Sequence, residues 1–217
     1  MLKNLTMSVS TLVTPNPNDI KGWQNLNQQI SSKLIGMSKP LVDIYQPNIT
    51  TAKLGNVSVM DIKPKDWRDN GKVLIYLHGG GHTFLGANST LGFTLPVANS
   101  TGLRIVSIDY ALAPVSKWNQ TMSEVLSVIQ ALIKEQGYSI KDIAIYGDSA
   151  GGGLAVGSVL KMRDEGIGIP SAIVLWSPWI DVTRKGDTYV TLEKADPITS
   201  ANLTLKNMAA AYANPSD

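Results

Sequence analysis

Cysteine is absent from the 217 residues, which excludes disulfides, thiolate nucleophiles and Cys-ligated zinc and leaves the redox compartment open. No apolar stretch approaches the ~20 residues that a membrane-crossing helix needs. The first 15 residues carry Lys3, but their mildly apolar run is interrupted by Thr6, Ser8, Ser10 and Thr11. With no clear small-residue cleavage site this makes a poor secretory leader, so a cytoplasmic location is the expectation, with periplasm or secretion left open. Charge of one sign is scarce too. The net charge of +2 comes from scattered residues without a basic stripe, which argues against nucleic acid as a partner. There are two histidines, His78 and His82, and no grouping of His, Asp and Glu at ligand spacing, so neither a metal nor an organic cofactor is expected.

What is present belongs to one ordinary globular core, with 43% hydrophobic and 17% charged residues. Residues 16–37 place Ile20, Trp23, Leu26, Ile30, Leu34 and Ile35 near helical spacing and predict an amphipathic helix, with Pro40 and Pro47 breaking the pattern. Residues 51–62 alternate and predict strands at a sheet edge. Four short β-branched runs follow at 73–77, 105–108, 143–146 and 172–176, each read as a strand buried on both faces. Helical stretches at 123–136 and 151–163 separate the later ones. The alternation predicts right-handed crossovers and a doubly wound, mostly parallel α/β sheet. Beyond residue 186 the rhythm changes: Asp196-Pro197 predicts a turn, Ser200 an N-cap and residues 203–212 a helix that covers the sheet's top edge.

The sharpest local signal is Gly147-Asp148-Ser149-Ala150-Gly151, between a strand and an apolar helix. So tight a turn forces Ser149 into strained backbone geometry, and glycine on either side removes Cβ atoms that would collide. The hydroxyl then stands at the carboxyl end of the sheet, where open α/β folds bind ligands, and at a helix N-terminus that favours developing negative charge. The competing readings are a turn built only for packing and an anion cradle. A second signal is His78-Gly79-Gly80-Gly81, directly after the run 73–77. Three glycines in succession suit a loop whose backbone amides approach a ligand, although a merely flexible loop has the same composition. In acyl transfer such amides hold the oxyanion, and those of Gly79, Gly80 and Ala150 are the expected donors. Trp23, Trp118 and Trp179 are candidates for a pocket lining or for core, and Asp109 and Tyr110 for structural anchors.

With these residues in place, the chain from about Asn56 to its end resembles the bacterial hormone-sensitive-lipase-like esterases of the α/β-hydrolase fold. The resemblance rests on His78-Gly79-Gly80-Gly81, Asp109-Tyr110-Ala111-Leu112-Ala113-Pro114, Gly147-Asp148-Ser149-Ala150-Gly151-Gly152 and Ser177-Pro178-Trp179-Ile180-Asp181, in the family's order. It implies a serine carboxylesterase for short acyl esters beneath a helical cap. The expected division is N-terminal cap helices in 1–45, a hydrolase core in 46–185 and a second cap segment in 186–217. In the family the triad acid and histidine come later in the chain, and here the sequence stops before them. His78 and His82 both lie on the oxyanion side, where neither is placed as the base that a serine nucleophile needs. The segment 115–122 also departs from the family's proline-rich continuation. The expected partners are a small ester and a complementary C-terminal polypeptide, or else a homodimer that covers the open sheet edge. The alternatives are a non-catalytic small-molecule binder on the same scaffold and a serine peptidase that shares every motif.

Overall fold

The computed structural model describes residues 12–193, 195, 200 and 204–213. The expected Asp196-Pro197 turn and residues 201–203 and 214–217 lie outside the described residues. A long helix α1 (Ile20–Tyr45) opens the fold, capped by Asp19, whose side chain accepts from the Gly22 amide. It runs eight residues beyond the expected end at Met37 and passes through Pro40. Leu41, Val42 and Tyr45 pack on the core cluster around Tyr76 and Tyr146, and this tertiary packing offsets the local cost of an internal proline.

Strands β1 (Asn48–Leu54) and β2 (Val57–Lys63) form the expected edge hairpin. Gly55 and Asn56 supply the two positive φ values, 54° and 65°, that a two-residue hairpin turn requires. β3 (Val73–Leu77), β4 (Arg104–Ile108), β5 (Ile143–Asp148) and β6 (Ala172–Trp176) match the four apolar runs. The sheet order is β1-β2-β4-β3-β5-β6, with β2 antiparallel to both its neighbours β1 and β4 and the pairs β4–β3, β3–β5 and β5–β6 parallel. This is the doubly wound, mostly parallel sheet that the alternation predicted. A buried ion pair pins β2 to β4: the Arg104 guanidinium donates to both Asp61 oxygens, at 2.8 and 2.9 Å.

Helices α3 (Trp118–Lys134) and α4 (Ala150–Asp164) cover one face of the sheet, burying Val125, Ile129, Leu132, Leu154 and Met162 against Ile75, Val106 and Ile145. The other face, with Ile62, Tyr76 and Ile105, is covered by α2 (Leu91–Thr101), which in turn packs on α1. No helix was expected at α2: its buried Leu91, Thr94, Leu95 and Ala98 share one face, but Thr94 there is polar, Phe93 and Val97 off that face are apolar, and Pro96 lies inside, so the sequence shows no clear amphipathic stripe. β6 departs from the expectation of burial on both faces. Among the described residues only β5 flanks it, and Ile173, Val174 and Trp176 are 39%, 48% and 40% exposed. A short α5 (Thr188–Thr191) and α6 (Lys206–Tyr212) follow. No helix among the described residues is long and apolar enough to cross a membrane.

Candidate active site

β3 pairs in parallel with β5, setting Leu77 opposite Gly147. The two motif loops therefore leave the sheet side by side. Ser149 is the single residue between β5 and α4 and adopts φ 49° and ψ −120°, a left-handed φ that costs a side-chain-bearing residue about 1–3 kcal/mol. The surroundings hold it there. Its amide donates to the Trp176 carbonyl at 2.9 Å, and its carbonyl accepts from the amides of Trp179 (2.7 Å) and Gly153 (3.2 Å). The flanking glycines are required by space: a Cβ on Gly147 would lie 2.5 Å from the Gly151 carbonyl oxygen, and one on Gly151 2.0 Å from that of Leu77. The Ser149 side chain is half-buried and caps no amide of α4. It thus stands beside the positive end of a helix dipole, its hydroxyl without a hydrogen-bond partner among the described residues.

The glycine loop is equally determined. Gly80 and Gly81 both have positive φ, 103° and 57°. The Gly80 carbonyl accepts from the amides of Thr83 (3.0 Å) and Phe84 (3.1 Å), folding the loop back on itself. Of the three amides expected to face an oxyanion, that of Gly79 donates to Asp148 Oδ1 at 3.0 Å. The same oxygen accepts from the Tyr76 hydroxyl at 2.5 Å, and burial with the adjacent carboxylate pushes that phenol far up. Asp148 thereby braces the elbow against the loop. The amides of Gly80 and Gly81 have no hydrogen-bond acceptor among the described residues.

Both histidines are buried, and neither bonds Ser149. His78 donates from Nδ1 to the Gly79 carbonyl at 2.7 Å and stacks on Tyr110 at 4.1 Å between ring centroids. His82 stacks on Tyr212 at 3.6 Å, with the two planes 5° apart. Burial pushes the His82 imidazole down to about 3 and lowers that of His78 as well. Both rings are neutral at physiological pH. Tyr110 and Asp109 act as anchors: the Tyr110 hydroxyl donates to the His78 carbonyl, and Asp109 Oδ1 accepts from the Ala87 amide at 2.9 Å.

A second apolar cluster roofs the site, in which Trp23 of α1, Trp179, and Met208 and Tyr212 of α6 pack around Ala113 and Ala150. Met208 lies so close over Gly81 that a Cβ there would meet its sulfur at 2.3 Å. Trp118 and Trp179 share a cavity of about 330 Å³ with His82 and Tyr212, whereas Trp23 lines another of about 240 Å³ with Asn27 and Thr83. Sequence reading did not single out Asn27, Met208 or Tyr212. For α6 the sequence offered a helix over the sheet's top edge, without marking which of its residues face the site. Among the described residues no three His, Cys, Asp or Glu side chains are grouped so as to hold a metal ion.

A strained serine elbow beside a glycine loop, on this sheet, is the arrangement of the alpha/beta hydrolase fold, and residues 74–217 match that family; the chain belongs to it. Within the fold it sits with the bacterial hormone-sensitive-lipase-like esterases. The crystal structure of an esterase from the bacterial hormone-sensitive lipase family superposes with a TM-score of 0.84 at 27% identity, covering 97% of this chain and 68% of that one. An acetyl-hydrolase of Streptomyces hygroscopicus is 26% identical over 193 residues, 88% of this chain and 63% of its own length. An esterase of Acinetobacter venetianus is 32% identical over 130 residues, 59% of this chain and 42% of its own. The chain thus spans less than two thirds of these two relatives.

Proposed function

We propose that this chain is the nucleophile-bearing part of a serine carboxylesterase for small, short-chain acyl esters. The observation that carries the reading is Ser149 at φ 49°, held between β5 and α4 next to a loop whose Gly80 and Gly81 amides, like its own hydroxyl, have no hydrogen-bond partner among the described residues. In this reading Ser149 Oγ attacks the ester carbonyl carbon, the alcohol leaves with a proton, and water then releases the acid from the acyl-enzyme. The Gly79 amide is committed to Asp148, so the oxyanion donors are the amides of Gly80, Gly81 and Ala150. α1 and α6 belong to the cap, a reading that the packing of Trp23, Met208 and Tyr212 around Ala150 supports.

The base and its orienting acid come from outside the described residues. Two neutral, buried rings, one stacked on Tyr110 and one on Tyr212, are poor candidates for taking the Ser149 proton. The uncovered face of β6 offers a place for the polypeptide that supplies them. That same lack of a histidine on Ser149 favours a second reading, a non-catalytic small-molecule binder on this scaffold.

The test is hydrolysis of p-nitrophenyl acetate by the native-sized protein, beside a denaturing mass spectrum of the same sample. Turnover that falls at least about a thousandfold in Ser149→Ala, with a histidine-bearing second segment in the spectrum, establishes the esterase. A sample holding the 217-residue species alone, with no turnover but saturable ester binding, establishes the binder.

A further inference from the structure

α1 reaches the glycine loop through one polar contact. Asn27 Oδ1 accepts from the Leu85 amide at 2.7 Å, and from the Ser31 hydroxyl one helical turn on at 2.8 Å. Leu85 has φ 72°, a conformation that a branched residue adopts only where its surroundings enforce it. Its position matters to Gly80, because a Cβ on Gly80 would lie 2.2 Å from the Phe84 oxygen and 3.0 Å from Leu85 Cγ. The loop is therefore pinned at both ends. Asp148 holds Gly79 from the core side and Asn27 holds Leu85 from α1, with Gly80 and Gly81 between them.

The two pins differ in kind. Asp148 adjoins Ser149 in sequence, so its contact moves with the elbow. Asn27 lies 58 positions from Leu85, on a helix that the sheet does not contain, so its bond exists only while α1 is seated. Oxyanion stabilisation depends on donors fixed before the reaction, and small misplacements are costly. We propose that Asn27 is a positioning residue: its side-chain carbonyl holds the loop that carries the Gly80 and Gly81 amides in register with Ser149. α1 thereby contributes to turnover through the loop. The inference rests on the esterase reading for its catalytic consequence, and on the loop geometry for the rest.

Two variants in the native-sized protein test it. Asn27→Leu keeps the size and removes the acceptor, whereas Asn27→Asp keeps an acceptor oxygen. With p-nitrophenyl acetate, kcat is expected to fall about 10- to 100-fold in Asn27→Leu, with KM within about twofold, and to recover most of that loss in Asn27→Asp. Loss of thermal stability with kcat unchanged, or equal losses of kcat in both variants, overturns the proposal. Amide hydrogen exchange provides a readout that does not require turnover. The Leu85 amide is expected to exchange at least about tenfold faster in Asn27→Leu, while the β3 and β5 amides stay protected. If the unmodified protein hydrolyses no ester, the esterase reading fails, and exchange alone decides: unchanged Leu85 protection in Asn27→Leu refutes the positioning role.

Discussion

At the scale of single residues, glycine and histidine carry the most physical content. Gly151 was legible as part of a tight strand-to-helix turn, and the structure adds the reason it must be glycine. A methyl group there would lie 2.0 Å from the Leu77 oxygen and 2.5 Å from that of His78, both backbone atoms that can move only with the sheet. Gly151→Ala is expected to lower the unfolding free energy by about 2–3 kcal/mol. Gly36→Ala, inside α1 with nothing within 4 Å of the new methyl, is expected to raise it by about 0.5–1 kcal/mol. Urea melts of the two variants compare them directly, and equal shifts would contradict the packing argument. The histidines set a pH dependence. Native His82 takes up a proton only near pH 3, because burial disfavours the cation, whereas an unfolded chain's histidine protonates near 6.5. Below about 6.5 the unfolded state therefore binds the proton first, and stability falls by about 1.4 kcal/mol per pH unit until the native ring titrates. His78, also shifted down by burial, adds in the same direction. Melts at pH 7 and pH 5 in His82→Phe, which keeps a ring on Tyr212, should show a smaller loss of stability than the parent's, by about 1–2 kcal/mol. A loss as large as the parent's means that His82 is not the group responsible.

At the scale of elements, legibility tracked how locally an element is specified. β3 to β6 announced themselves as short continuous apolar runs, α3 as a periodic amphipathic helix and α4 as an apolar stretch after the serine turn. α2 did not, although Leu91, Thr94, Leu95 and Ala98 bury one face of it: Thr94 on that face is polar while Phe93 and Val97 off it are apolar, which removes the contrast that a stripe needs. Pro40 read as a break because local chemistry forbids it a donor, yet Leu41, Val42 and Tyr45 find partners distant in sequence, in the cluster around Tyr76 and Tyr146. Tertiary contact of that kind is invisible in a window of neighbours. The site divides along the same line. Ser149 and the glycine loop were legible because strain and close approach restrict which residues fit. The commitment of the Gly79 amide to Asp148, the seat of Met208 over Gly81 and the Asn27 bond join residues 58 or more positions apart, and nothing in their own neighbourhoods marks them.

At the scale of the whole molecule, the sheet is asymmetric. At one end the β1–β2 hairpin closes it with an antiparallel pair whose turn packs on α3, where a methyl on Gly55 would meet the Ser127 carbonyl at 2.4 Å. At the other, β6 has one neighbour among the described residues, and Ile173, Val174 and Trp176 are partly open to solvent on it. Leu160 and Ile169 add apolar surface, 46% and 48% exposed. Parallel strands are ordinarily covered on both faces, and an apolar edge with unpaired backbone groups templates association. The edge also matters to the nucleophile, because the Trp176 carbonyl at the end of β6 accepts the Ser149 amide. Fraying there would loosen the strained serine itself. We therefore expect the 217-residue chain, purified by itself, to bind a fluorescent apolar-surface dye and to melt broadly or as an oligomer. Adding a polypeptide that pairs with β6 should sharpen the transition and remove the dye signal. A single cooperative melt of the isolated monomer, with coincident near- and far-ultraviolet dichroism and no dye binding, would show that the β6 edge needs no partner. The base and acid that Ser149 requires would then have to be sought without appeal to that edge.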